Sequence, residues 1–155
     1  MTQENGMASE AYGPSLSDGF DIGSIDVAAT ATFNVDLILD ANGDPKSGFV
    51  IVGKNSDEYK AAAKRIRVEG LQRSAQRKGP LDTSKAEGAE ALASAIEAND
   101  ITQASAVVCG WFGFADKGVV AEFNAKTARA MLVKFPTWRQ KVLEALEDDA
   151  NFIKG

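Results

Sequence analysis

From Ala31 to Leu37 apolar and polar residues alternate: Ala31, Phe33, Val35 and Leu37 share one parity, and Thr32, Asn34 and Asp36 the other. That is the period-two pattern of a strand with one buried and one wet face. Thr30 to Leu39 is therefore predicted as a strand. Asp40-Ala-Asn-Gly-Asp-Pro45 supplies the turn after it, because Asn42-Gly43 tolerates positive φ and Pro45 removes a donor where the loop ends. Gly48-Phe-Val-Ile-Val-Gly53 reads as the second strand. Phe49 to Val52 is apolar on both faces, which suits helices on one side and another chain, as in a homo-oligomer, on the other.

Beyond the hairpin the period changes to that of helices. Asn55 and Glu58 form a capping box for a long basic helix, whose narrow apolar stripe is Tyr59, Ala62, Ala63 and Ile66. Lys60, Lys64, Arg65 and Arg67 fall largely outside that stripe. Gly70 costs about 1 kcal/mol relative to Ala inside a helix, so a bend or an end is expected there. Gly79-Pro80 marks the clearest internal boundary. A second box, Ser84 with Glu87, introduces Ala86 to Ala98, with Ala89, Leu92, Ala93 and Ile96 as its buried stripe. Asn99-Asp100 interrupts it. Ile101 to Cys109 leaves helix and strand nearly tied, and helical continuation to Gly110 is expected. Asp116-Lys-Gly118 reads as a turn, and Val119 to Phe123 as short and extended or a packed loop. Asn124 caps a third helix through Ala128, Met131 and Leu132 to Phe135. Pro136 opens a fourth, with Trp138, Val142, Leu143 and Leu146 on its apolar side. Glu147-Asp-Asp149 opposes the helix dipole and should promote fraying, while Asn151-Phe-Ile153 is suited to tuck back as an anchor.

The predicted fold is α+β and predominantly α-helical: an N-terminal β-hairpin followed by a compact bundle of about four helices. Residues 1–27, rich in Gly, Ser, Ala and Asp, bury too little to offset their ordering entropy and read as a flexible acidic leader. Its Tyr12, Leu16, Phe20, Ile22 and Ile25 are candidates for docking on a partner. Residues 28–155 read as a single hairpin-plus-helices domain.

Charge changes the picture more through its distribution than through its net value of -5. Residues 1–45 hold eight acids and no Lys or Arg; residues 46–78 hold nine bases against three acids; residues 79–155 hold eight bases against eleven acids. A basic block between acidic ones indicates internal neutralisation or a polar docking surface. Nucleic acid is the other reading, disfavoured because the chain as a whole is acidic and its aromatics are not interleaved with the bases. No apolar run approaches the roughly 18 residues that cross a bilayer, so no membrane partner is expected. The first ten residues lack the basic-then-apolar order of a secretion signal. The single cysteine, Cys109, excludes an internal disulfide and reads as an ordinary buried thiol, compatible with cytosol.

Motifs for chemistry fall short. Gly48-Phe-Val-Ile-Val-Gly53-Lys54-Asn55-Ser56 nearly spells a phosphate-binding loop, yet its hydroxyl is one position late and Phe49 to Val52 form a strand where a flexible cradle is needed. Asp40-x-Asn42-x-Asp44 resembles a calcium loop, but Pro45 and Ile51 stand at its sixth and twelfth positions. Local hydrogen bonding in a turn explains those carboxylates better. The chain has no histidine, so a histidine base, a Ser-His-Asp arrangement and the usual zinc sites are excluded. The expectation is a non-enzymatic binding protein with no cofactor and no metal. Trp111, Phe112 and Phe114, beside Gly110 and Gly113, serve either as core or as a partly exposed binding patch.

Phe49-Val-Ile-Val-Gly53-Lys-Asn-Ser-Asp-Glu-Tyr59 resembles the "strand, Gly, x-x-Ser, x-x-Tyr/Phe" opening of tail assembly chaperones of long-tailed, siphovirus-like bacteriophages and prophages. Gly110-Trp111-Phe-Gly113 is similar to their Trp-x-Gly segment, Val120-Ala-Glu-Phe123-Asn124-Ala125 to their apolar-Phe-x-Asn-Ala helix opening, and Pro136 with Asn151-Phe152 to their ending. The likeness spans about residues 31–154. It implies a small, largely helical protein of the host bacterial cytoplasm that keeps the phage tape measure protein soluble and recruits tail tube subunits. Tyr59 and Ile66 would then be core or partner-facing, and Trp111, Phe112 and Phe114 would hold a turn or form part of the partner surface. Lys60, Lys64, Arg65 and Arg67 would steer acidic segments. The long acidic leader and the alanine-rich segment depart from the family pattern. They leave a structural virion protein of the tail or a head–tail connector as alternatives, and the basic block leaves a nucleic-acid-binding accessory protein as another.

Overall fold

In a computed structural model of the chain, residues 30–153 and Ile22 are described. The acidic leader expected over residues 1–27 lies, apart from Ile22, outside the described residues. Strand β1 (Thr32–Leu39) pairs antiparallel with β2 (Pro45–Val52). The parity expected of β1 is present: Val35 and Leu37 are buried and Thr32, Asn34 and Asp36 exposed. In the turn between the strands, one Asp40 carboxylate oxygen accepts from the amides of Asn42 (2.8 Å) and Asp44 (2.9 Å), and Gly43 takes φ 84°. These acids thus close a turn.

Helix α1 (Asp57–Gln76) follows, then α2 (Ala86–Val107). The cap of α1 is Ser56 rather than Asn55. The buried Ser56 hydroxyl donates to the Gly53 carbonyl (2.6 Å) and accepts from the Tyr59 amide (3.2 Å), a reciprocal arrangement that the exposed Asn55 does not enter. Gly70 does not end α1, and Asn99-Asp100 does not interrupt α2. Nor does the second capping box form. Lys85 occupies the cap of α2 without a side-chain bond, while Ser84 turns its amide and hydroxyl to Asp82 and so holds that carboxyl below its ordinary pKa.

The helix expected to reach Gly110 stops at Val107, and strand β3 (Val108–Phe112) begins. Its β-branched and aromatic residues pair antiparallel with the open edge of β2, giving a three-stranded sheet in the order β1-β2-β3. The minimal ribbon β4 (Ala115–Asp116) and β5 (Val119–Val120) comes next. Helix α3 (Ala125–Lys134) is capped by Asn124, whose side chain accepts from Thr127 N at 3.0 Å, and α4 (Pro136–Glu147) starts on Pro136.

One face of the sheet carries the core: Val35, Phe49 and Ile51 meet Ala104 and Val107 of α2, Ala128 and Leu132 of α3, and Val142 and Leu146 of α4. Rather than fraying, the acidic end of α4 is tied down. Glu147 bonds Lys54 at 2.6 Å, raising the Lys54 pKa, and Asp148 caps a short 3-10 turn (Asp149–Phe152). Phe152 tucks back onto Gly53 and Phe33, as its sequence suggested. The fold is α+β, with N-terminal strands followed by a compact bundle of four helices among the described residues.

Candidate functional site

The two longest helices bury little beyond their sheet-proximal ends. In α1 the buried residue is Ala62; in α2 the apolar burial is at Ala104 and Val107. At about 1.5 Å per residue, helices of 20 and 22 residues span roughly 30 Å or more. Residues 71–76, the last turn and a half of α1, are all exposed. This overturns the stripe expected in α2: Ala89, Leu92, Ala93 and Ile96 are all exposed. The result is an antiparallel helical arm with uncovered aliphatic side chains.

Residues of α1 divide by helical period. Tyr59, Ala62, Ala63, Ile66 and Gly70 turn inward and are buried or half-buried. Lys60, Lys64 and Arg67 repeat at i, i+4 and i+7 and are joined at i+8 and i+11 by Val68, 41% exposed, and Leu71, 66% exposed. Three cations and two aliphatics therefore share the outer face. Charged heads with adjacent uncovered aliphatic surface suit an amphipathic acidic segment better than a small polar ligand.

Arg65 lies on another flank. It pairs weakly with Glu69 at 3.8 Å and lines a groove of ≈ 590 Å³ formed by α1, the last turns of α2 and the start of α3. The floor is small: Ala61, Ala62, Ser105, Ala106 and Ala125. Arg65, Lys126 and Arg129 supply three cations around it against the single carboxylate of Glu58. Lys126 and Arg129 were not singled out from the sequence. They lie some sixty residues from Arg65, and only the packing of α1 and α3 against α2 brings them to one groove.

The aromatic candidates go elsewhere; none lines this groove. Trp111 donates its indole N–H to the Ala121 carbonyl at 2.9 Å and packs edge-on against Phe114 (5.4 Å) and Phe123 (5.2 Å). Phe114 continues inward to Phe49 and Trp138. Phe112, with the opposite parity, sits over Gly48, where a Cβ would come within 2.6 Å of its ring. All three rings are half-buried. Cys109, expected as a buried thiol, is exposed on β3 with its sulfur 3.4 Å from the Val50 carbonyl oxygen. Its pKa is pushed up by local desolvation, so the thiolate is disfavoured.

Arg139 ties the bundle together, with 11% of its side chain exposed; it donates to the Leu132 carbonyl (2.9 Å) at the end of α3 and approaches Glu97 of α2 at 3.6 Å. Among the described residues no group of three or more His, Cys, Asp or Glu side chains is placed to hold a metal ion. No described helix is long and apolar enough to cross a membrane. No protein-family model matches the chain, and neither a curated protein nor a solved structure shows significant similarity to it.

Proposed function

We propose that this chain is a non-enzymatic binding protein, a phage tail assembly chaperone that covers amphipathic segments of the tape measure protein and brings tail tube subunits to them. The supporting observation is the outer face of α1, where Lys60, Lys64 and Arg67 frame the uncovered Val68 and Leu71. Such a face attracts acidic helices through its charge and holds them by burying aliphatic surface. The resemblance around Gly53, Trp111 and Asn124 supplies the class of partner, and the bacterial cytoplasm during infection is where such a protein would act.

The test is affinity for the tape measure protein encoded in the same genome, measured across a salt series. Replacing Lys60, Lys64 and Arg67 by Glu is expected to weaken binding about tenfold or more at low salt and to flatten its salt dependence. Unchanged affinity and slope would reject this surface. A structural virion protein or head–tail connector would be retained in fixed copy number in purified particles, whereas a chaperone is absent from them. A nucleic-acid-binding protein would instead be retained by DNA with an affinity falling steeply as salt rises.

A further inference from the structure

Leu92 and Ile96, spaced as a buried stripe on α2, are instead 42% and 52% exposed, and the chain itself carries a surface that fits them. Ala62 of α1 and Ser105 of α2 both line the groove. Leu71 stands nine residues after Ala62, and Ile96 nine before Ser105. Nine residues make two and a half turns, so both side chains point to the side of the arm away from the groove, each about 14 Å farther out. The helices run antiparallel, which brings Leu71 and Ile96 to one level, with Leu92 a further turn along. The two helices differ in charge. Within its own span α1 has five bases against three acids, whereas α2 has four acids and no base. Lys60, Lys64 and Arg67 share the Leu71 side of α1. An acidic, aliphatic helix that suits this side is α2, yet within one chain α2 packs against the inward stripe of α1.

We propose that a second copy of this chain covers this side of the arm, α1 of each copy lying on α2 of the other. Charge selects that arrangement. A twofold axis running along the arm sets each α1 against the second copy's α2, basic on acidic. An axis running across the arm sets α1 on α1 and α2 on α2, like on like. The first arrangement also places Leu71 of one copy against Leu92 and Ile96 of the other, so the exposed aliphatic side chains of both helices leave water together. From Lys60 to Gln76 this side is about 24 Å long, and two helices make it about 20 Å wide, so the pair buries on the order of 1,000 Å². That is the low end for specific interfaces, and the dimer is reversible, with a dissociation constant on the order of micromolar or weaker. The α1 side so covered is also the one offered to a client above. A second copy and a client segment therefore exclude one another, a consequence that alone rests on that reading.

The test is sedimentation of the full-length chain from about 1 to about 500 µM, a range that spans the expected dissociation constant. The average mass is expected to rise from 16.4 kDa towards twice that value. Leu92→Gln with Ile96→Gln alters exposed positions only and keeps helix propensity. This pair should leave the unfolding midpoint in place and weaken association about tenfold or more. A chain that stays monomeric throughout, or a dimer indifferent to both substitutions, would overturn the proposal. Disulfide trapping reads which helices meet. With Cys109→Ser in both, chains bearing Leu71→Cys are mixed with chains bearing Ile96→Cys. Bonds between positions 71 and 96 should exceed those joining 71 to 71 or 96 to 96 by about fivefold or more, because only close Cβ atoms can be bridged. A predominance of like bonds overturns the proposal as well. The function proposed above is separable from it: a monomeric chain that still keeps the tape measure protein soluble removes the dimer and leaves that function standing.

Discussion

Replacing Phe49 with Ala is expected to cost about 3–5 kcal/mol of folding stability, measured as a shift of the urea unfolding midpoint at unchanged slope. Phe49 is wholly buried on the central strand. Its ring lies 5.9 Å from Phe114 and 6.3 Å from Trp138, so it joins the sheet to the aromatic cluster and to α4. No neighbour is free to fill the hole: Val35 and Trp111 are fixed opposite it by strand register on either side. Truncation at Leu71, 66% exposed, should by contrast change stability by less than about 0.5 kcal/mol. A loss at Phe49 below about 1 kcal/mol would contradict this core, being smaller than ordinary cavity costs.

The second large effect is expected at Gly113, where Ala should cost about 2–4 kcal/mol from backbone strain and forced overlap together. Gly113 has φ 75°, and an added Cβ would lie 1.9 Å from the Lys46 carbonyl oxygen. Its own carbonyl accepts the Ser47 hydroxyl at 2.9 Å, so backing away would break a partly buried bond. Gly43 supplies the control. Its φ is 84°, but no atom lies within 4 Å of the position a Cβ would take. There Ala should cost only the strain, about 1 kcal/mol. Equal losses at the two glycines would show that close approach of β2 to the turn after β3 is not what Gly113 permits.

These two sites also mark what the chain's pattern could and could not disclose. The β1 parity was legible because alternation from Ala31 to Leu37 admits one reading, whereas Phe49 to Val52, apolar on both faces, announced a strand without saying which side faces the core. Asn124, Pro136 and the returning Phe152 were legible as local signals of capping, chain direction and apolar anchoring. The third strand was not. Val108 to Phe112 becomes a strand because β2 offers an unpaired edge, and that edge is a tertiary fact. The same limit explains the apolar residues of α2. Leu92 and Ile96 have the spacing of a buried stripe, but spacing does not tell whether a third element reaches the far end of a helical arm. Ser56 displaced Asn55 as cap because its hydroxyl also bonds Gly53, a geometry that composition at the helix start leaves undecided.

The candidate surface was legible in part. The basic character of α1 and the outward position of Lys60, Lys64 and Arg67 follow from the heptad-like spacing alone. Arg65 was grouped with them by sequence, yet the fold gives it to a different surface together with Lys126 and Arg129. Trp111 and Phe114 had two readings, core or patch; their half-buried rings pack against the core through Phe49 and Trp138. A cation-rich helix is visible one residue at a time, while this groove exists only where three helices come together.

The central claim is that the uncovered α1 face holds another protein through charge and aliphatic contact, without chemistry. Its most direct measurement is the soluble yield of the tape measure protein co-expressed with the full-length chain, with the Lys60, Lys64 and Arg67 to Glu variant, and alone. The expected result is soluble tape measure protein co-purifying with the unaltered chain, and precipitation with the variant as in its absence. Equal solubility in all three arms, or an equal complex with the variant, would contradict it.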